Sequence, residues 1–236
     1  MLQIRAHTPH PSDVLLVLHG GDEENLRAPG RVNPPLLRMR PFERALLRRL
    51  EDDPVTVAEV RYRHRGWNGE RADAAVDARD AVTELAQRLP SERKLVLLGH
   101  SMGARAALRA GGHPAVAGVV ALAAWCPAEE PVEHLAGTRL LLVHSDRDRV
   151  TPPEESLVFA ARARAAGAHV ARLLIAGSDH AMARHARAWQ RAATVLTGAL
   201  LDRWPFPDPV RRALDRTGTD DAGLELRLPL FDGGRV

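Results

Sequence analysis

Six short apolar runs, each followed by a longer amphipathic or polar stretch, constrain this chain more than any other feature. The runs are 14–19 VLLVLH, 55–61 VTVAEVR, 94–99 KLVLLG, 116–124 VAGVVALAA, 139–144 RLLLVH and 169–175 HVARLLI. Several are nearly unbroken in apolar residues. A strand with one wet face alternates apolar and polar residues, so an unbroken run indicates a strand covered on both faces, as in a parallel sheet. Alanine-rich stretches at 41–51, 70–89, 102–111, 153–166 and 180–201 predict the covering helices. Strand–helix alternation of this kind specifies an α/β fold: a doubly wound, mostly parallel sheet with helices on both faces and right-handed crossovers. Ligands of such sheets bind at the carboxyl ends of the strands.

Two segments break the alternation. Residues 20–40, GGDEENLRAPGRVNPPLLRMR, read as a long polar loop that could partly cover a site. Residues 203–236, rich in Pro, Asp, Gly and Arg, read as a partly irregular tail. A length of 236 residues fits one domain at 1–202, with the tail packing on it or extending from it.

Charge narrows the choice of partners. The chain has 33 basic and 30 acidic residues, and Lys94 is its only lysine. The arginines are interleaved with acids and accompanied by few aromatics, so no nucleic-acid surface is expected. The single cysteine, Cys126, excludes an intrachain disulfide framework and fits a reducing compartment. The first residues hold no apolar signal region, and VLLVL is too short to span a bilayer. The expectation is a soluble, cytoplasmic protein without a membrane partner, and oligomeric state is left open.

The chemistry is concentrated at LLGHSMGARAA, where Gly99-His100-Ser101-Met102-Gly103 lies between a strand and a helix. A sharp turn there forces the serine into a strained backbone conformation and lifts its hydroxyl above the sheet. The flanking glycines relieve the crowding. The helix start directs the Met102 N–H and a favourable dipole at the same space. With six serines and 18 glycines, chance placement yields only about 0.03 such patterns.

On this motif the chain resembles the α/β-hydrolase superfamily, over roughly residues 13–200. The resemblance implies a nucleophile elbow at Ser101, followed along the chain by an acid and a histidine on later loops. LLIAGSDHAMAR resembles the family's Gly-x-x-His turn and implies His180 as the base, with His185 the runner-up. A His180/His185 metal pair is disfavoured, since five-residue spacing splays two side chains on a helix. LVLHGGDEE resembles the family's His-Gly oxyanion loop, which implies the Gly21 and Met102 amides as the oxyanion hole and leaves His19 to hold the turn.

HSDRDRVTP resembles the family's His-Gly-x-x-Asp loop. Aligned so, Asp148 is the acid, His144 matches the histidine, and Asp146 takes the variable position, capping its turn or pairing with an arginine. Ser145 stands where the family has glycine; a required positive φ there would suit serine poorly, which keeps Asp146 in play. Thr151, Pro152 and Glu154 predict an N-cap, a first helical residue and a capping box for the next helix.

The stretch WCPAEEPVEHLAGT is too short for a cap domain, so an open site is expected. Trp67 and Trp125, each after a strand, are candidate substrate contacts or packing residues. Arg63, His64 and Arg65 read as a solvated loop, and Cys126 as a small buried side chain. The resemblance implies a serine esterase acting on a carboxylic ester or thioester of small to medium acyl length, through an acyl-enzyme and with no metal or other cofactor. Its partner is a small-molecule acyl substrate. Transfer to an acceptor other than water, or ligand binding without turnover, are the alternatives.

Overall fold

The computed structural model describes residues 2–6, 12–30, 33–50, 55–90 and 92–228. The end of the expected 41–51 helix and the last eight residues of the tail, 229–236, lie outside them. Eight strands form one sheet: β1 (Leu2–Ala6), β2 (Val14–Leu18), β3 (Thr56–Val60), β4 (Leu95–His100), β5 (Val116–Leu122), β6 (Arg139–Ser145), β7 (His169–Ile175) and β8 (Leu226–Arg227). Their spatial order is β1-β3-β2-β4-β5-β6-β7-β8. Pairing is parallel throughout, except that β1 runs antiparallel to β3 at the edge. All six expected strands are present.

Both faces of the sheet are covered, which explains the unbroken apolar runs. Along β4, Leu95 and Leu97 enter one core while Val96 and Leu98 enter the other. The first core lies under α2 (Asp73–Arg88), α3 (Met102–Ala110) and α4 (Pro153–Ala165). The second lies under α1 (Pro34–Arg49), α5 (Ala186–Leu200) and α6 (Asp208–Leu214). The period of two survives in space although hydropathy hides it.

Three expectations need correction. The 20–40 loop ends early, because α1 begins at Pro34; prolines suit a helix's first turn, where their missing N–H has no intrahelical acceptor to lose. The remaining loop is pinned to residues 65–68 by main-chain bonds, including Asp22 N to Arg65 O, Gly66 N to Asn25 O and Trp67 N to Asp22 O. The 180–201 helix starts only at Ala186, so residues 176–185 form a loop. The 203–228 stretch is more ordered than its composition suggests, since α6 buries Val210, Ala213 and Leu214 and β8 pairs with β7.

Two buried arginines hold that last stretch. The Arg164 guanidinium donates to the carbonyls of Val170, Ala213, Asp220 and Ala222. Arg172 donates to the carbonyls of Pro153 and Leu224 and to the Ser156 hydroxyl. Both side chains are 1% exposed, and their charge is met chiefly by main-chain oxygens.

Candidate active site

The chain departs from β2 in both directions across the sheet, to β3 on one side and β4 on the other. The crevice at the carboxyl ends of these two strands is the topological switch point. It carries His19-Gly20-Gly21 after β2 and Ser101 after β4.

Ser101 has φ +56° and ψ −121°, a conformation sparsely populated by residues with a Cβ. The surrounding structure enforces it. Ser101 N–H donates to Leu122 O at 3.0 Å, and Ser101 O accepts the N–H groups of Ala104 and Arg105 at the start of α3. The two glycines of the motif act by close approach. A Cβ on Gly103 would collide with the carbonyl oxygens of Leu18 and His19, and one on Gly99 with the backbone of Gly103 and Ala104. Without them α3 could not lie this close to β2 and β4, and the serine would not project into the crevice.

His180 Nε2 lies 3.0 Å from Ser101 Oγ, and His180 Nδ1 lies 2.8 Å from Asp148 Oδ2. A carboxylate can only accept, so Nδ1 carries the proton and bare Nε2 faces the serine hydroxyl. The three side chains form one hydrogen-bonded line. The His180 loop is fixed on both flanks: Asp179 accepts the N–H groups of Ala183 and Arg184, and Ser178 Oγ donates to Arg184 O and accepts Trp189 Nε1–H. His185 is the exposed N-cap of α5, at φ +58°.

Asp148 is 6% exposed. Burial alone would raise its pKa, but hydrogen bonds from His144, His180 and the N–H groups of Thr151 and Val150 outweigh it and hold the carboxyl well below the usual carboxylate range. Val150 N–H and Thr151 N–H donate to Oδ1 at 2.8 and 3.0 Å. Asp146 is exposed and accepts Gly177 N–H at 2.7 Å, so its partner is neither its own turn nor an arginine. Ser145 ends β6 without a positive φ, which removes the objection to serine at that place.

Thr151 was expected to cap α4. The helix instead begins one residue later, with Pro152 at the N-cap, and the threonine turns inward. Its hydroxyl lies 3.0 Å from Asp148 Oδ2, 3.1 Å from His180 Nδ1 and 3.3 Å from Ala123 O. His144, at the strand end, donates from Nε2 to Thr151 O at 3.0 Å. His100 is buried and donates from Nε2 to His180 O at 2.9 Å. Sequence reading gave neither Thr151 nor His100 a role here, because the partners that tie them to the His180 and Ala123 backbone and ring lie 28 to 80 residues away along the chain.

Gly21 and Met102 meet at the crevice. A Cβ on Gly21 would collide with Arg65 O and come within 2.5 Å of the Met102 methyl. Met102 is the first residue of α3, so its N–H has no intrahelical acceptor. Behind them a small cleft is lined by His19, Gly20, Gly21, Asp22, Asn33 and Arg65, with Pro29 and Pro35. His19 holds its turn as expected, with Nδ1 2.7 Å from Gly20 O.

Trp67 and Trp125 meet edge to face at 6.0 Å, and the Arg105 guanidinium lies over both rings at 3.8 and 4.3 Å. Glu130, itself buried, pairs with Arg105 at 2.6 Å and with Arg109. Trp67 is 2% exposed, whereas Trp125 is half-buried and its main-chain N lies 3.5 Å from Ser101 O. Arg63 pairs with Asp77 at 2.5 Å, and His64 Nδ1 lies 2.7 Å from Leu26 O, so this loop is braced rather than free. Cys126 is buried, and burial pushes its thiol pKa up. Between β5 and β6 the only regular element is one 3-10 turn, Glu133–Leu135. Among the described residues there is no cluster that could hold a metal ion, and no helix is long and apolar enough to cross a membrane.

A family model described as "Alpha/beta hydrolase family" matches residues 14–231. Among solved structures, a putative alpha/beta hydrolase of unknown function from Agrobacterium tumefaciens aligns with TM-score 0.61 at 14% identity, covering 88% of this chain and 94% of that one. Est1E from Butyrivibrio proteoclasticus aligns with TM-score 0.60 at 13% identity, covering 85% and 93%. An a/b serine hydrolase without lid from Xanthomonas campestris aligns with TM-score 0.57 at 17% identity, covering 86% and 88%. At these identities the likeness is one of fold. A search of curated proteins finds no match.

Proposed function

Since the chain belongs to the alpha/beta hydrolase family, we propose that it is a serine hydrolase of carboxylic esters, with Ser101 as nucleophile, His180 as general base and Asp148 as the orienting acid. The observation that carries this reading is the line Ser101 Oγ, His180, Asp148, at 3.0 and 2.8 Å, on a serine held at φ +56°.

In this reading Ser101 Oγ attacks the acyl carbonyl while His180 Nε2 takes its proton. The resulting imidazolium is stabilised by Asp148, which remains ionised. The Gly21 and Met102 amides receive the oxyanion. His180 then gives the proton to the leaving alcohol, and a water activated by the same nitrogen releases the acid. The depressed pKa of Asp148 supports this division of labour, because a permanently charged acid is what an imidazolium requires. The short β5–β6 connection supports a preference for small to medium acyl groups, since no inserted domain is there to enclose a long chain.

The test is a series of p-nitrophenyl esters from acetate to laurate, run beside a Ser101→Ala control and a fluorophosphonate probe. Expected are labelling at Ser101, turnover that falls at least a thousandfold in the control, and a preference for the shorter esters. Folded protein that neither labels nor hydrolyses would overturn the reading and favour a binding role. Added alcohols that divert the acyl group from water would point to transfer instead of hydrolysis.

A further inference from the structure

Beyond the three reacting groups, we propose that His100 is a positioning residue, which holds His180 over Ser101 through the hydrogen bond to the His180 carbonyl. This rests on the reading of Ser101 and His180 given above.

His180 lies in a loop with no strand neighbour. The flanking anchors hold residues 177, 178 and 179 on one side and 183 and 184 on the other. What ties residue 180 itself to the nucleophile strand is the His100 Nε2–H donated to its carbonyl at 2.9 Å. His100 is the last residue of β4, adjacent to Ser101, so the donor and the nucleophile share one rigid backbone. Fixing the carbonyl fixes the Cα from which the imidazole projects. Misplacement of a catalytic group by an ångström can cost about a hundredfold in rate.

The ring is wedged, not merely adjacent. It is 1% exposed, its centroid is 5.0 Å from that of His180, and a Cβ on Gly20 would come to 3.2 Å from its Nδ1. A carbonyl can only accept, so His100 must carry its proton on Nε2. Nδ1 is then a bare, buried acceptor, and it has no hydrogen-bond partner among the described residues. The charged and titratable groups that bear on the ring are His180, Arg38 of α1 and Asp148. Burial dominates, and His180 and Arg38 add to it in opposing a second proton. The ring therefore stays neutral beside a base that must itself become cationic, and a second cation there would oppose that step.

The experiment compares donors of different reach. In His100→Gln the side-chain amide extends to the Nε2 position; in His100→Asn it falls short. For His100→Asn, kcat and the rate of fluorophosphonate labelling should drop about tenfold or more while KM stays within about twofold. His100→Gln should recover to within about threefold of wild type. Wild-type rates in the Asn variant, or equal impairment of Asn and Gln variants, would overturn the proposal. A measurement without any variant runs alongside: nitrogen-detected NMR of the imidazoles should place the His100 proton on Nε2 throughout neutral pH, and a proton on Nδ1 would overturn it. If wild-type protein itself fails to label, the serine-hydrolase reading falls first, so the two failures are distinct.

Discussion

Asp146 and Gly177 join the Asp148 loop to the His180 loop: the carboxylate accepts the Gly177 N–H at 2.7 Å, two residues before Asp148 and three before His180. The two aspartates of this loop thus divide into one that touches His180 and one that sets the distance between loops. Asp148→Asn should lower kcat by about 10³ to 10⁴, because an amide can leave the imidazole in the wrong tautomer. Asp146→Asn keeps an acceptor oxygen and should change kcat less than about threefold. Asp146→Ala, losing an exposed bond, should cost about 1 kcal/mol of stability. Ester kinetics and urea unfolding of the three variants check this, and the reverse ranking of Asp146 and Asp148 would move the acid.

Thr151 offers a more selective probe of the role proposed for Asp148. Its hydroxyl contacts Asp148 Oδ2 and Ala123 O, and valine has the same branching without the hydroxyl. Thr151→Val should cost about 1–2 kcal/mol of stability, since it leaves polar groups in a buried place with one partner fewer. With the Asp148 rotamer less restrained, kcat should fall about tenfold with little change in KM. Thr151→Ser should restore most of both. Steady-state kinetics and thermal melts of the pair decide.

The legible and illegible parts of the molecule differ in whether their needs leave a pattern in neighbouring residues. Strands 14–19 to 169–175 could be read because a strand buried on both faces leaves an unbroken apolar signature. Ser101 could be read because the turn demands glycine at fixed places beside it, which shows as a local motif even though Gly103 crowds against the distant Leu18 and His19. Pro34 and Pro35 hid the start of α1 by looking like loop residues, and the polar composition of 203–228 hid α6 and β8. The inward turn of Thr151 was masked by an equally good capping pattern, which the helix displaced by one residue. Nothing near His100 in the sequence announces a partner 80 residues away.

Gly21 is where backbone proximity and chemistry coincide. Gly21→Ala would push the added methyl against Arg65 O and the Met102 side chain, separating the two amides proposed for the oxyanion. The expected loss in kcat is about 10² to 10³, the range seen on removing one oxyanion donor. The variant should still fold, since the site lies in a loop at the sheet's edge of the crevice. A near-normal kcat in a folded Gly21→Ala protein would assign the donor elsewhere.

Arg164 should matter to stability without touching the reaction. Arg164→Met keeps the apolar stem but leaves buried carbonyls of Val170 and Ala213 without this donor. The expected cost is about 2–4 kcal/mol, given that each charge-assisted bond contributes about 1.5–3 kcal/mol and water can replace some of them. Urea unfolding should show the loss while KM for short esters stays unchanged. A neutral effect would mean that the 203–228 stretch is held by its apolar contacts alone.

The acid limb of stability should carry the mark of His100. Burial, with His180 and Arg38, lowers its pKa from 6.5 to about 3 in the folded protein. The folded pKa lies below the unfolded one, so the unfolded chain binds the extra proton first. The contribution of neutral His100 to stability is therefore fully present above about pH 6.5 and is lost progressively as pH falls towards about 3. Asp148, whose pKa is also depressed, adds a loss that begins as pH falls into the ordinary carboxylate range. His100→Gln removes the first loss and keeps the second. Measured by urea unfolding between pH 7.5 and 4.5, the wild-type stability should fall more steeply than that of the variant, by up to about 1.4 kcal/mol per pH unit below pH 6. Parallel curves for the two proteins would show that His100 takes up its proton as readily in the folded state as in the unfolded one.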